Sequence, residues 1–256
     1  MHQALIQGLV FCLNHYYQDM LNRMLYFFEL MVLIPVFPII YLKGKKLKKN
    51  LIKLPPWSEY LKLDSTSPEF FLLIIGESTA AGVGATSVEK TFASRIFDYT
   101  ARKFTIFNIG ENGLRAENLK ALFDKCENKM AKSFAKTIIL IGANDCFKLT
   151  PPRKFRQEME SFIKFLIQEK GVRQITIPLI PPVQEFPGIP VIMRFFLGWH
   201  RSILTRELEL LEKKFPQLSY ENQGDTFAGE FFSKDGIHPS DIGYELIAAS
   251  IAAKIK

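Results

Sequence analysis

A serine and a histidine-containing loop are the strongest candidates for chemistry in this sequence. Ser78 follows the apolar run Phe70 to Ile75, where a strand-to-helix turn would expose its hydroxyl at a sheet edge, near helix N-terminal amides. Of the four histidines, His238 lies in a predicted Gly/Pro-containing loop, three residues after Asp235. An aspartate can keep one imidazole nitrogen protonated so that the other accepts the serine proton. The sequence therefore predicts Ser78, Asp235 and His238 as a catalytic triad.

Acyl transfer also needs hydrogen-bond donors for the oxyanion that develops on the substrate. The candidate donors are the Ser78 N–H, the Gly113 N–H and the Asn144 side-chain amide, which follow three different apolar runs. Taken alone, Gly113 and Asn144 are typical of ordinary turns, so their assignment depends on the serine and the histidine.

The glycine-rich segment 76–84 also invites a phosphate-binding interpretation, but its details disfavour it. A Walker A loop needs a Lys-Ser/Thr pair after Gly82, and a dinucleotide fingerprint needs a third glycine where Ser87 stands. The cysteines contain no CxxC pair and give neither a disulfide framework nor a zinc site; they are Cys12, Cys126 and Cys146. Neither a nucleotide-binding loop nor a cysteine-based zinc site is therefore indicated.

From residue 70 onward, short apolar runs alternate with segments of helical periodicity. This alternation predicts an α/β fold with a parallel sheet covered by helices on both faces, and ligands at the carboxyl ends of the strands. The predicted strands are 70–75, 105–109, 137–141 and 174–179, and the predicted helices are 87–102, 116–132, 152–169, 197–214 and 241–255.

Four short blocks resemble those of the SGNH hydrolases, also called GDSL esterases/lipases. The blocks are Gly76-Glu77-Ser78, Gly113, Gly142-x-Asn144-Asp145 and Asp235-x-x-His238, in the family's order and spacing over about residues 70–255. The resemblance implies a three-layer flavodoxin-like fold, no metal or organic cofactor, and ester hydrolysis through an acyl-serine intermediate. It makes Ser78 the nucleophile, His238 the base and then the acid, Asp235 its orienting partner, and Ser78, Gly113 and Asn144 the oxyanion donors. Glu77 stands where the family usually has Asp.

The N-terminal region carries a segment long enough to cross a bilayer. Met24 to Leu42 holds one charge, Glu29, and six lysines follow it within residues 43–53. Because most positive charge follows the apolar run and no small-residue cleavage site is present, we expect an uncleaved membrane anchor rather than a signal peptide. If the segment spans, the positive-inside rule places the following domain on the cytoplasmic side. Pro35, Pro38 and Glu29 leave open a segment that lies in the interface, and an apolar helix packed on the domain is the alternative without a membrane.

Charge and length suggest the domain organisation. Residues 1–55 hold seven Lys/Arg and two Asp/Glu, and so carry +5 of the net charge of +7. We expect a membrane segment with a basic flank at 1–55, a linker at 56–69 and the SGNH hydrolase domain at 70–256. No nucleic-acid partner is expected, because no aromatic interleaving or known binding motif accompanies the lysines.

An aromatic-rich stretch before the histidine loop gives the candidate substrate-binding residues Phe186, Phe195 and Trp199, as an acyl-binding wall or a membrane-facing lip. The function that the sequence favours is a membrane-associated serine esterase/lipase acting on carboxylic esters, lipid esters included. Two alternatives stay open: an acyltransferase or carbohydrate deacetylase on the same scaffold, and a catalytically silent membrane-tethered binding protein.

Overall fold

The computed structural model describes residues 2–222 and 229–255 as one α/β unit preceded by a long helix. Its helices are α1 (His2–Asn50), α2 (Phe92–Tyr99), α3 (Leu119–Cys126), α4 (Ala143–Phe147), α5 (Pro152–Gln168), α6 (Val191–Lys214) and α7 (Asp241–Ile255). Its strands are β1 (Tyr60–Leu63), β2 (Phe70–Gly76), β3 (Phe104–Gly110), β4 (Lys136–Leu140), β5 (Gln174–Pro178) and β6 (Leu218–Glu221).

The six strands form one sheet in the order β1-β3-β2-β4-β5-β6, which is parallel except for β1 at one edge. Alternate side chains of β2 enter two different cores, because successive strand residues point to opposite faces. Leu72 and Ile74 pack with α2 and α7, whereas Leu73 and Ile75 pack with α3, α5 and α6. This confirms the predicted three-layer α/β fold with a parallel sheet.

Two edge strands escaped the sequence prediction. β1 lies within residues 56–69, where we expected a linker, and it pairs antiparallel with β3 from Tyr60 to Leu63. β1 alternates exposed and half-buried residues, and β6 alternates buried and half-buried ones, so neither forms the continuous apolar run that marks a fully buried strand. Asn108 of β3 fastens the chain ahead of β1, since its side-chain amide donates to the Ser58 carbonyl at 2.5 Å.

Several helix boundaries also differ from the sequence prediction. α2 begins at Phe92 rather than Ser87, so a run of turns separates it from β2. α6 begins at Val191, directly after Pro190, rather than at Leu197. Proline is well suited to this position because its fixed φ matches the start of a helix and it lacks the N–H that a helix terminus leaves unbonded.

The candidate site lies where the sheet changes direction. The chain passes from β2 to β3 on one side and later to β4 on the other, so the carboxyl end of β2 is a topological switch point, the usual ligand position in open α/β sheets. Gly76 ends β2 there, and a Cβ on it would lie 2.1 Å from the Leu140 carbonyl oxygen of β4. Only glycine permits this close approach of the two strands.

Helix α1 contains the predicted membrane segment. Over Tyr17–Asn50 it is long and apolar enough to cross a membrane, although Pro35 and Pro38 lie inside it. Its large apolar side chains point mostly away from the rest of the protein; those exposed between residues 20 and 42 are Met20, Met24, Phe27, Phe28, Met31, Val32, Ile34, Phe37, Ile39, Tyr41 and Leu42. The opposite face contacts α6 and α5.

Candidate active site

The histidine loop before α7 holds a carboxylate against an imidazole. His238 Nδ1 lies 2.6 Å from Asp235 Oδ2, and the Asp235 side chain is 1% exposed. The second oxygen, Oδ1, accepts the Ser233 hydroxyl at 2.9 Å and the backbone N–H groups of Ile237 and His238 at 3.0 Å each. Every polar contact of this aspartate therefore serves to hold the loop and the ring.

These contacts lower the pKa of Asp235 and keep its carboxylate ionised. Burial alone would raise its pKa, but the hydrogen bond and charge of His238, together with the backbone donors, outweigh burial and lower the pKa to about 2. An ionised carboxylate only accepts hydrogen bonds, so Nδ1 of His238 carries a proton. In the neutral ring the other nitrogen, Nε2, is then a proton acceptor.

Ser78 stands on the turn that follows β2 and shares a cavity with His238. The cavity has a volume of about 950 Å³, and both side chains line it. The turn also touches the back of the histidine loop: a Cβ on Gly84, whose φ is +100°, would lie 3.0 Å from His238 Cβ and 2.4 Å from the Pro239 carbonyl oxygen. The N–H of Val83 donates to the Ser78 carbonyl at 3.0 Å. The fold thus places two residues that lie 160 positions apart in the sequence in the lining of one cavity.

Glu77 connects the turn that carries Ser78 to the start of α4. Its Oε1 accepts the N–H of Ala143 at 3.1 Å, and its Oε2 accepts the N–H of Asn144 at 3.1 Å and the Asn144 side-chain Nδ2 at 2.8 Å. These bonds satisfy two backbone donors at the helix N-terminus and orient the Asn144 amide, which also lines the cavity. The sequence showed that Glu replaces the family's usual Asp but gave no sign of these partners.

The environment of Glu77 opposes its ionisation. Its side chain is buried, and this loss of solvent is the largest effect on its pKa. The three N–H donors act in the opposite direction and nearby Asp145 adds to the effect of burial, with the result that the pKa rises to about 7. Glu77 therefore titrates near neutral pH, far above an ordinary glutamate.

The loop after β3 holds the third candidate donor. Gly113 has φ +85°, is exposed, and has open space where a Cβ would stand, while its neighbour Asn112 lines the cavity. Buried Asp145 of α4 fastens this loop, because its Oδ2 accepts the Ala116 N–H at 3.0 Å. Two carboxylates, Glu77 and Asp145, thus tie the ends of β2, β3 and β4 to one another.

The predicted aromatic wall is only partly at the site. Phe186 lines the cavity, but Phe195 and Trp199 are not among its lining residues. Met193 of α6 does line it, and residues two or six positions away on a helix project from other faces. Phe195, 60% exposed, instead packs edge-on against Trp199 at 6.0 Å between ring centroids. Phe195 and Trp199 therefore lie outside the lining of this cavity, and their role as a membrane-facing lip stays a prediction.

Helix α1 supplies lining that the sequence did not predict. Its last turns and the residue after them contribute one wall of the cavity; these residues are Ile40, Tyr41, Gly44, Lys45, Leu47, Lys48 and Leu51. No sequence signal marks them, because their role depends on how α1 packs against α6. Among the described residues, no group of three or more His, Cys, Asp or Glu side chains is arranged to hold a metal ion.

Several solved structures with the same fold are named as esterases. An aryl esterase from M. smegmatis matches with a TM-score of 0.59 and 14% identity, over 72% of this chain and 97% of its own. A carbohydrate acetylesterase from Sinorhizobium meliloti matches with a TM-score of 0.57 and 14% identity over the same shares. An acetylxylan esterase from Geobacillus stearothermophilus matches with a TM-score of 0.54 and 17% identity, over 75% of this chain and 96% of its own. At these identities the similarity shows a shared fold.

The sequence itself shows the family. The profile of the GDSL-like lipase/acylhydrolase family matches residues 74–246, a span that contains all four blocks. The chain therefore belongs to this hydrolase family, and the resemblance seen in the sequence is confirmed. No curated protein matches the sequence. The family match begins after α1, so the α1 wall of the cavity lies outside it.

Proposed function

We propose that this protein is a serine esterase that cleaves carboxylic esters through an acyl-serine intermediate. The observation that carries the proposal is the shared cavity of Ser78 and His238, with Asp235 bound to the ring nitrogen that does not serve as base. A hydroxyl, a neutral imidazole and an ionised carboxylate in this order are the components of a nucleophilic triad.

In this mechanism His238 accepts the Ser78 proton at Nε2 as Oγ attacks the ester carbonyl carbon. The negative charge moves to the carbonyl oxygen, where the Ser78 N–H, the Gly113 N–H and the Asn144 amide stabilise it. The imidazolium then protonates the leaving alcohol, and the C–O bond breaks to give acyl-serine. Water repeats the sequence at the acyl carbon, releasing the acid and restoring Ser78.

The direct test is to treat the full chain in detergent with a fluorophosphonate probe and with p-nitrophenyl butyrate. We expect labelling at Ser78 and hydrolysis, both lost in Ser78→Ala. Ser202→Ala on α6 is the matched control, because Ser202 bonds only the Trp199 carbonyl and is not among the cavity-lining residues. Full activity in Ser78→Ala contradicts the mechanism, and a wild-type protein that neither labels nor hydrolyses supports a silent binding protein.

The cavity favours an acyl chain longer than acetyl. Its wall is built mainly from apolar side chains; among them are Leu47, Phe147, Phe186, Ile189, Met193 and Phe231. Two structural relatives are named for acetylated carbohydrates, so an acetyl-specific enzyme or a transferase is the main alternative. A p-nitrophenyl ester series from acetate to dodecanoate tests this: we expect kcat/KM to rise with chain length, since each buried CH2 contributes about 0.8 kcal/mol. A maximum at acetate would favour the deacetylase, and product that requires an added hydroxyl acceptor would favour the transferase.

We also propose that α1 attaches the enzyme to a membrane while lying along its surface. Polar Asn22 and Glu29 face the protein and are fully buried, whereas Phe27, Phe28 and Met31 face outward, the reverse of a helix that meets water. Since α6 packs beside the same stretch of helix, a bilayer surrounding α1 would also have to contain α6. Contact with lipid on the outward face alone explains both observations.

Binding to phosphatidylcholine vesicles tests this attachment. We expect the wild type to co-sediment and the variant Phe27→Gln/Phe28→Gln/Met31→Gln to stay in solution. Phe71→Gln/Tyr99→Gln, which changes exposed aromatics of the catalytic unit, is the control and should bind normally. An N-terminal affinity tag should stay open to antibody added outside the vesicles; a protected tag would show that α1 spans.

A further inference from the structure

Helix α1 is fixed against the α/β unit by polar contacts to α5 and α6 that are buried or largely buried. Asn22 Nδ2 donates to Glu207 Oε1 at 2.6 Å and to the Ile203 carbonyl at 3.0 Å, both on α6. Arg156 of α5 bridges Asp19 of α1 at 2.6 Å and Glu207 at 3.1 Å. These contacts leave little freedom for α1 to move as a loose tether.

A second buried pair lies nearer the site. Glu29 Oε2 is 2.8 Å from His200 Nδ1, and both side chains are fully buried. The other ring nitrogen of His200 lies 3.1 Å from the Thr150 carbonyl, in the segment that follows α4. Glu29, the one charged residue of the apolar segment, therefore docks α1 to α6. This docking holds the last turns of α1 in place as a wall of the Ser78 cavity.

That wall brings positive charge to a cavity whose lining is mainly apolar. Lys45 and Lys48 of α1 line the cavity together with Lys148, which follows α4. The salt bridges found among the described residues include none to these three lysines. Of the described lining residues, Glu77 is the one carboxylate, and its oxygens already accept three N–H groups.

We propose that the site selects a single-chain acyl ester whose alcohol part carries an anionic group such as a phosphodiester. This inference rests on the proposed esterase function and deepens it. The acyl chain lies along the apolar lining, the ester carbonyl sits at Ser78, and the anion lies among Lys45, Lys48 and Lys148. All three lysines are exposed, so each attracts the anion only modestly, and the preference comes from the sum of the three charges.

The same helix thus has two functions on two faces. Its outward apolar face contacts lipid, and its C-terminal turns contact the substrate that a lipid surface would supply. An amphiphile leaving the membrane beside α1 would meet the lysines before the serine. The enzyme without residues 1–55 would lack part of its site, so truncation cannot test the proposal and point variants in the full chain are needed.

The test compares three substrates with the same acyl chain, each at a small mole fraction in micelles of an uncharged detergent, so that the substrate adds little surface charge. They are an anionic lysophosphatidylglycerol, a zwitterionic lysophosphatidylcholine and a neutral monoacylglycerol. For the wild type we expect the anionic substrate to have the highest kcat/KM, about tenfold above the neutral one. The variant Lys45→Gln/Lys48→Gln keeps Lys148 and should reduce this ratio to about twofold, mainly through KM.

Lys46→Gln/Lys49→Gln is the matched control. It removes the same charge from the same turns of α1, but neither residue lines the cavity, so the ratio should stay at the wild-type value. An equal fall in both double variants, or a wild type with no preference for the anion, overturns the inference while leaving the esterase intact. Failure of the wild type to hydrolyse any ester, p-nitrophenyl butyrate included, overturns the proposed function itself.

Discussion

Two carboxylates flank the candidate site and behave in opposite ways. Asp235 in the histidine loop has its pKa lowered to about 2, whereas Glu77 beside Ser78 has its pKa raised to about 7. Both side chains are buried, and both accept at least three hydrogen bonds. The difference is that Asp235 faces an imidazole able to carry positive charge, and Glu77 faces only neutral donors and the negative charge of Asp145.

This comparison suggests different tasks for the two groups. A carboxylate that stays ionised can hold the tautomer and the developing charge of His238 throughout turnover. A carboxylate that is costly to ionise is better understood as a positioning group, since its oxygens connect the turn that carries Ser78 to Asn144 and the start of α4. The first should affect catalysis through charge, and the second through position.

The largest expected effect comes from Asp235→Asn, which keeps the size of the side chain and removes its charge. An amide in this place favours the wrong imidazole tautomer, so we expect kcat to fall by about 10³- to 10⁴-fold with little change in KM. The measurement is p-nitrophenyl butyrate hydrolysis at pH 8. Asp98→Asn, at an exposed surface pair with Arg102, is the control and should be unaffected. A loss of less than tenfold would show that Asp235 merely shapes the loop.

A smaller effect is expected from Glu77→Gln. Glutamine offers one oxygen where Glu77 uses two, and its NH2 group would face an N–H donor of Ala143 or Asn144. With the Asn144 amide misplaced, we expect kcat to fall by about 10- to 100-fold, approaching the loss of one oxyanion donor.

A double-mutant cycle with Asn144→Ala separates positioning from general destabilisation. If Glu77 acts through Asn144, the glutamine substitution should cost little in the Asn144→Ala background. Additive losses would instead mean that Glu77 affects catalysis by a separate route. Glu77 would then act on the reaction directly through its charge, as Asp235 is expected to do.

The two carboxylates should also give opposite pH dependences of stability. Glu77 has a raised pKa, so between pH 4.5 and 7 the folded protein binds more protons than the unfolded chain, and stability falls as pH rises through this window. Asp235 has a lowered pKa, so its contribution is lost only as pH falls from about 4 towards 2. The Glu77 part amounts to about 3 kcal/mol between pH 4.5 and 7.

Urea unfolding at pH 5, 6, 7 and 8 measures this slope. The difference in unfolding free energy between wild type and Glu77→Gln should change with pH, because the glutamine variant lacks the titrating group. Parallel curves for the two proteins would mean that Glu77 titrates at an ordinary pKa and is better hydrated than its burial implies.

The candidate site residues were easier to select from the sequence than the contacts that support them. Ser78, Asp235 and His238 stand out as candidates because their types and loop positions are unusual, and the main parallel strands stand out because they are continuous apolar runs. The exposed edge strand β1 and the docking of α1 through Asn22 and Glu29 depend on partners more than 40 residues away, which local patterns do not encode. The partners of Glu77 were hidden for the same reason.

The smallest expected effect comes from Glu77→Asp, which keeps the charge and shortens the reach by one methylene. A shorter carboxylate can still accept the Asn144 amide but would not bond Ala143 and Asn144 N–H groups together without a shift of α4, so we expect kcat to fall by only about threefold, on the scale of a single weakened hydrogen bond. The result is read against Glu77→Gln in the same hydrolysis assay. If kcat of Glu77→Asp is close to wild type and kcat of Glu77→Gln is far below it, what matters most is that both side-chain oxygens can accept hydrogen bonds. Equal losses of kcat in the two variants mean that the length of the side chain is decisive. The N-terminus of α4 would then lie at a distance that only glutamate can bridge.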